Sequence, residues 1–305
     1  MRSRLTFGAF QPNRRRFIGT SLAGFIIAAA LAPVSAQEAQ LKQTVTSKDG
    51  TAIAYDKSGE GPALILVGGA LSDRAGWKPL AALLAADFTV FAYDRRGRGE
   101  SGDTPPYAVE REIEDLEALI DEAGGTAFVH GQSSGAVLSL EAANRLGDKI
   151  RKLSLYEPPF IIDDSRPLPP PDFAQHIEAL IAKDSHSDAV EYWLLQVVGA
   201  PPEMVAEMQA APAWTALEAT AHTLPYDIAV LGDKMSGNPL PVDAWGGVTA
   251  PVLVMDGGAS PAWIRKSAET LAELLPAADH QTLDNQPHNA APEILAPELQ
   301  RFFLE

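Results

Sequence analysis

The sequence predicts an α/β protein with a mostly parallel sheet, because strand-like apolar runs alternate with helical segments along its 305 residues. The predicted strands are short, continuous apolar runs, as expected for strands that helices cover on both faces. These runs lie at 63–67, 88–93, 126–130, 152–156, 251–255 and 280–283. Between them, Val109, Ile113, Leu116 and Ile120 recur at helical spacing, and a helix of small residues reaches about Leu146. Helices therefore connect the strands, which is the order of elements that builds a parallel sheet.

A β-hairpin is predicted ahead of the first of these strands. Residues 41–47 and 51–57 alternate polar and apolar side chains, and the turn sequence Lys48-Asp49-Gly50 lies between them. Such alternation is typical of strands with one buried and one solvated face. We therefore expect an antiparallel pair at this end of the domain.

The composition excludes several classes of function. The formal net charge is −16, and such an acidic surface repels nucleic acid and anionic lipid. Cysteine is absent, which excludes disulfides, thiolate metal sites and a cysteine nucleophile. The chain also contains no phosphate loop, no dinucleotide-binding glycine motif and no His-Glu-x-x-His sequence. We therefore expect a protein without cofactor or metal that acts on a small molecule.

Residues 1–36 have the organisation of an export signal. They hold five arginines and no acidic residue, and an apolar run over 17–33 precedes small side chains that end at Ala36. The stretch 13–18 (Asn-Arg-Arg-Arg-Phe-Ile) is similar to the twin-arginine signature of proteins exported in the folded state. An uncleaved anchor is the alternative, although the run is shorter than a usual membrane span. We expect a periplasmic or secreted protein that meets the export machinery only transiently, and N-terminal sequencing should then find Gln37 first.

The motif Gly131-x-Ser133-x-Gly135 lies between a predicted strand and a predicted helix. A serine at this place can occupy a very tight strand-to-helix turn, the nucleophile elbow, if small residues flank it. The turn would place Ser133 at the N-terminus of the helix, whose dipole favours developing negative charge. The motif and its context therefore predict a serine nucleophile.

With these features the chain resembles the α/β-hydrolase superfamily, particularly its esterase and cofactor-free haloperoxidase-like branch. The resemblance covers residues 41–157 and 251–305 and is most specific at 93–101 and 130–135. It implies that Ser133 is the nucleophile of an α/β-hydrolase fold.

The same resemblance implies an oxyanion hole made of two backbone N–H groups. One belongs to Ser134, the residue after the nucleophile, and the other to the loop that follows the strand at 63–67. In that loop the donor is expected to be Ala70, with Gly69 as the alternative. Removing one such donor typically raises the barrier by about 3–4 kcal/mol.

Family order also places the base and the acid that a serine nucleophile needs. His288, after the last strand, is implied as the base. The usual position of the acid is occupied by Ser260, whose neutral hydroxyl cannot stabilise an imidazolium. Some members carry the acid after the preceding strand instead, and Glu157 lies there, 24 residues after Ser133. Asp256 is the second candidate for the acid and Asp284 a distant third.

Residues 158–250 separate the sixth and seventh strands, where α/β-hydrolases insert a lid. Helical apolar spacing at 173–181, 192–198 and 214–224 predicts a helical cap there. The expected domains are thus a signal over 1–36, a core over 37–157 and 251–305, and the cap. In the core, a loop holds Arg95, Arg96 and Arg98, and we expect it to be solvated or salt-bridged rather than an anion site.

Together these features predict an exported serine hydrolase that cleaves a small or medium carboxylic ester through an acyl-enzyme. The same site could instead serve perhydrolysis or the hydrolysis of a carbon–carbon bond. Because Ser260 stands at the usual position of the acid, a non-catalytic relative that only binds a ligand is a further alternative.

Overall fold

In the computed structural model, which describes residues 43–305, eight strands form one sheet. The strands are β1 (Gln43–Thr46), β2 (Ala52–Ser58), β3 (Ala63–Val67), β4 (Thr89–Tyr93), β5 (Ala127–Gln132), β6 (Ile150–Tyr156), β7 (Val252–Gly257) and β8 (Ala278–Leu283). Their order across the sheet is β1-β2-β4-β3-β5-β6-β7-β8. β1 pairs with β2, and β2 with β4, in antiparallel fashion, and every other pairing is parallel. The predicted α/β class and the hairpin are confirmed.

Ten α-helices accompany the sheet in the described part of the chain. They are α1 (Lys78–Leu84), α2 (Val109–Glu122), α3 (Ser134–Leu146), α4 (Phe173–Ile181), α5 (His186–Tyr192), α6 (Pro202–Ala210), α7 (Trp214–Thr220), α8 (Leu224–Leu231), α9 (Ala262–Leu274) and α10 (Pro292–Leu304). A π-helical turn over Trp193–Val198 continues α5. The five helices α4 to α8 all lie between β6 and β7, which agrees with the predicted helical insertion. Helix α6 and all but one residue each of α5 and α8 lie outside the segments predicted to be helical.

The central strands are buried on both faces, which explains their continuous apolar sequences. In β3, Leu64 and Leu66 pack into one apolar cluster with residues of α1 and α10. Ile65 and Val67 point the other way, into a second cluster that includes residues of α2 and α3. Burying each such side chain stabilises the fold by roughly 1.5–3 kcal/mol. A parallel sheet with helices on both faces follows from this two-sided burial.

The parallel strands all end at one edge of the sheet, and the loops that follow them build the candidate site. β3 is followed by Gly68 and Gly69, β5 by Ser133 and β6 by Glu157, and the loop after β8 carries His288. In open α/β sheets, ligands bind outside the carboxyl ends of the strands. The topology therefore brings together residues that are far apart in sequence.

The predicted export signal, residues 1–36, lies outside the described residues, so the signal, its cleavage and the twin-arginine route stay predictions. Within residues 43–305, no helix combines the length and the apolar character that crossing a membrane requires. The exact boundaries of the predicted core and cap also stay predictions.

Candidate active site

Ser133 lies in a strained turn between β5 and α3. Its backbone angles are φ 57° and ψ −129°, a left-handed conformation that residues other than glycine rarely adopt. The turn is held from both sides, because the Ser133 N–H donates to the carbonyl of Tyr156 at 2.9 Å and the Ser133 carbonyl accepts from Ala136 N–H at 2.9 Å. The tight strand-to-helix turn that the motif predicts is therefore present.

Gly135 allows α3 to start directly against β3. A Cβ atom at this position would lie 2.4 Å from the carbonyl oxygen of Val67 and 2.5 Å from that of Gly68. Both contacts involve backbone atoms that cannot move aside without displacing the strand. The second glycine of the motif is thus required by close packing.

The loop after β3 runs beside Ser133. A Cβ atom on Gly69 would lie 2.8 Å from Ser133 Cβ and 3.4 Å from its Oγ, so the Gly69 backbone is in contact with the serine. Ala70 and Ser134 line the same cavity as Ser133. The structure therefore brings both residues expected to supply oxyanion donors, and the alternative Gly69, to the side of the predicted nucleophile.

Glu157 follows β6 and is fully buried. Its Oε2 lies 2.5 Å from Nδ1 of His288, and its Oε1 accepts a hydrogen bond from the Gly257 N–H at 2.7 Å. Its backbone is also left-handed, with φ 51°. Both carboxylate oxygens are thus engaged, and one of them orients the imidazole of His288.

The loop that carries His288 is fixed by two further side chains. Gln132 Nε2 donates to the His288 carbonyl at 2.7 Å, and Tyr156 Oη donates to the Pro287 carbonyl at 2.7 Å. Gln132 directly precedes Ser133, and Tyr156 directly precedes Glu157. The residue before Ser133 and the residue before Glu157 therefore both support the histidine loop, a role that the sequence reasoning did not identify.

The other candidates for the acid lie elsewhere. Asp256 is buried within β7, and its Oδ2 lies 2.6 Å from Nε2 of His280 on β8. Asp284 is exposed in the loop after β8. Ser260, at the usual position of the acid, is buried, and its Oγ has no hydrogen-bond partner among residues 43–305. Of these carboxylates, Glu157 is the one that the structure places on His288.

A buried cluster of charges lies directly behind the predicted oxyanion loop. Arg95 forms a two-pronged salt bridge with Glu112 on α2, at 2.7 and 2.6 Å, and donates to Asp227 on α8 at 2.7 Å. Arg98 donates to the other oxygen of Asp227, also at 2.7 Å. Neighbouring Arg96 binds Asp115 separately. The arginine loop is therefore salt-bridged, as expected, but it is buried rather than solvated.

Asp227 and Glu112 were missed by the sequence reasoning. Burial alone would raise the pKa of Asp227, but the Arg98 and Arg95 guanidiniums beside it hold that pKa below its ordinary value. A sequence signal did exist, because Asp227 is the single carboxylate in the otherwise apolar helix α8. A lone charge in an apolar helix indicates a buried partner.

Ser133, His288 and Glu157 open into one cavity of about 700 Å³. Much of its wall comes from apolar residues between β6 and β7, including Trp193, Leu194, Val197, Met204, Met208 and Leu217. In the described part of the chain, no lysine or arginine lines this cavity, and its acidic lining residues are Asp73 and Glu157. The cavity thus offers a mainly apolar surface without a lysine or arginine in the described part of the chain.

No group of three or more histidine, aspartate or glutamate side chains within residues 43–305 is arranged to hold a metal ion. The residues that share the cavity with Ser133 instead supply an imidazole, from His288, a carboxylate, from Glu157, and the backbone amides of Ala70 and Ser134. This combination can activate a hydroxyl and stabilise an oxyanion.

Comparison with known proteins agrees with the fold. Residues 64–297 match the sequence profile of the Alpha/beta hydrolase family, and this chain belongs to that family. It is thus a hydrolase of the α/β type, with an eight-stranded, mostly parallel sheet.

Three relatives illustrate the similarity. The crystal structure of an alpha/beta hydrolase from Sphaerobacter thermophilus is 57% identical with a TM-score of 0.81, over 86% of this chain and 100% of that one. The uncharacterized hydrolase YraK of Bacillus subtilis is 34% identical over 36% of this chain and 42% of its own length. Lipase LipV of Mycobacterium tuberculosis is 28% identical over 48% of this chain and 57% of its own length. The chain thus spans about half the length of these two curated relatives.

Proposed function

We propose that the protein is a serine hydrolase that cleaves an uncharged, apolar carboxylic ester through an acyl-enzyme. The observation that carries the proposal is the arrangement of Ser133 in a strained elbow with His288, oriented by Glu157, in the same cavity. A serine hydroxyl is a weak nucleophile without a base, and a histidine held by a buried carboxylate is the usual means of activating it.

In the proposed reaction, Ser133 Oγ attacks the ester carbonyl while His288 takes its proton. The Ala70 and Ser134 N–H groups stabilise the oxyanion of the tetrahedral intermediate, and Glu157 stabilises the imidazolium. Collapse of the intermediate breaks the bond to the alcohol oxygen, which receives the proton from His288. Water then attacks the acyl-enzyme by the same route, and the carboxylic acid leaves.

The lining of the cavity supports an uncharged ester. A carboxylate on the substrate would lose water on entering an apolar cavity and would meet Asp73 and Glu157 without a lysine or arginine to pair with. The net charge of −16 also repels anions. The apolar walls, by contrast, favour an aliphatic or aromatic group. The name of Lipase LipV is consistent with an ester as substrate.

We expect a fluorophosphonate probe to label the folded wild-type protein at Ser133 and to leave Ser133→Ala unlabelled. Of two para-nitrophenyl esters of equal chain length, one ending in an isopropyl group and one in a carboxylate, the neutral ester should have a kcat/KM at least about tenfold higher. Mass spectrometry of the labelled protein and steady-state kinetics make the two measurements.

Met204 offers a matched control, because its side chain is half-exposed at the cavity wall and can be changed without emptying the core. Met204→Arg should improve the relative rate of the anionic ester, and Met204→Gln should not. Equal kcat/KM values for the two esters in the wild type would contradict the proposal that the substrate is uncharged. A folded wild-type protein that the fluorophosphonate probe does not label would contradict the proposal of a serine hydrolase.

A further inference from the structure

Arg98 touches the backbone of the loop that runs beside Ser133. Its guanidinium is buried and spans three elements, donating from Nη1 to the Gly69 carbonyl at 2.5 Å, from Nη2 to Asp227 Oδ2 at 2.7 Å and from Nε to Thr223 Oγ1 at 3.0 Å. Ser72 Oγ donates to the same Gly69 carbonyl at 2.7 Å. This carbonyl is thus held by two donors, one of them a cation.

The Gly69 carbonyl and the Ala70 N–H belong to one peptide unit. A trans peptide is planar, and its C=O and N–H bonds point in opposite directions. Holding the carbonyl toward Arg98 therefore fixes the direction of the Ala70 N–H on the other side of the peptide. A cationic donor on the carbonyl also polarises the unit, which strengthens its N–H as a hydrogen-bond donor.

Asp227 links this peptide to the start of α3. Its Oδ1 accepts from Ser134 Oγ at 2.7 Å and from Arg95 Nη1 at 2.7 Å, while its Oδ2 accepts from Arg98. One fully buried carboxylate therefore connects the residue after the nucleophile with the guanidinium that holds the Gly69 carbonyl. Asp227 comes from α8, between β6 and β7, so the insertion contacts the Ser134 side chain directly and the Gly69–Ala70 peptide through Arg98.

We propose that Arg98 and Asp227 are positioning residues for the oxyanion hole, an inference that rests on the serine hydrolase function above. Arg98 prevents the Gly69–Ala70 peptide from rotating, and Asp227 holds Arg98 and Ser134 in a fixed relation. The two N–H groups then stay aimed at the point where the oxyanion forms, at no cost of reorganisation during the reaction. Neither residue touches the substrate.

Arg98→Met is expected to lower kcat at least about tenfold with KM within about twofold of the wild type, because a displaced donor weakens only the transition state. The rate is expressed per active site, titrated with the fluorophosphonate probe, so that a loss of folded protein does not count as a loss of catalysis. Arg96→Met is the matched control. Arg96 is equally buried and salt-bridged in the same loop, but it binds Asp115 and Asp49. Its kcat per site should stay at the wild-type value.

A kcat per site for Arg98→Met equal to that of Arg96→Met would overturn the inference, even if both variants melt earlier than the wild type. If Arg98→Met does not fold, Arg98→Lys decides, since lysine keeps the charge opposite Asp227 but lacks the planar fork that also reaches Gly69. A wild-type kcat per site in Arg98→Lys would then overturn it. Failure of the wild type to hydrolyse esters or to be labelled contradicts the proposed function instead.

Discussion

Replacing Glu157 by glutamine is expected to lower kcat by about 10⁴-fold, the loss seen when the carboxylate of such a triad becomes an amide. In the structure, Glu157 Oε2 faces Nδ1 of His288, and Oε1 accepts from the Gly257 N–H. With the Gly257 contact retained, the amide nitrogen of glutamine would face Nδ1. Because an amide N–H is a donor, it would favour the His288 tautomer in which Nδ1 accepts and Nε2 carries the proton. Nε2 then cannot accept a proton from Ser133. The amide also removes the charge that stabilises the imidazolium.

Asp256→Asn is the matched control, because Asp256 is also a fully buried carboxylate that binds a histidine, in its case His280. Its kcat should fall by less than about tenfold, since the change does not reach His288. The measurement is steady-state kinetics with the neutral ester, with KM and active-site titre determined for each variant. If Asp256→Asn lost more activity than Glu157→Gln, Glu157 could not be the acid.

The choice between these two carboxylates shows what could not be derived from the sequence alone. The resemblance ranked Glu157 ahead of Asp256, but both carboxylates lie at the end of a buried strand, and their spacing along the chain does not by itself show which one meets His288. The register decides. Asp256 is opposite Thr282, so His280, two residues earlier on β8, lies on the same face of the sheet as Asp256. Glu157 is free of such a neighbour and points at the loop after β8.

The fold itself was largely predictable, for a physical reason. Strands buried on both faces have continuous apolar sequences, as in β3 and β7, and such runs stand out against polar connections. Helix α1, over Lys78–Leu84, gave no comparable pattern, because only Leu80 and Leu84 of its seven residues are buried. A helix of that length is too short for its periodicity to be recognised.

The Ser133 elbow and the buried ion cluster differ most in how far the sequence predicts them. The Ser133 turn is determined by its immediate neighbours, so a five-residue motif predicts it. The cluster of Arg95, Arg98 and Asp227 joins residues more than a hundred positions apart. From the sequence alone, these three charged residues could equally be solvated. They are buried partners only because α8 packs against the core.

His130 gives the last prediction, a loss of stability in acid. It lies on β5, three residues before Ser133, and is fully buried, with Nδ1 3.1 Å from Ser154 Oγ and its ring edge-on to Trp77. Its Nε2 has no hydrogen-bond partner within the described residues. Burial lowers the pKa of His130 from 6.5 to about 3, because a charged imidazole there would be neither solvated nor paired.

The sign of the effect follows from proton uptake. At pH values below the ordinary pKa of His130, this residue is protonated in the unfolded chain. In the folded protein it stays neutral until the pH reaches its lowered pKa. Between these values the unfolded state binds more protons, so the free energy of unfolding falls as the pH falls. From pH 7 to pH 5 the contribution of this one residue is a loss of about 2 kcal/mol. It should be measurable by urea denaturation at the two pH values.

The expected result is that His130→Phe loses about 2 kcal/mol less stability than the wild type between pH 7 and pH 5, because phenylalanine takes up no proton. Its stability at pH 7 can be lower, since the ring must refill the space beside Trp77 and loses the contact with Ser154. Only the difference between the two pH values enters the comparison. If His130→Phe retained the wild-type pH dependence, protonation of the buried imidazole would not be a cause of the loss of stability in acid.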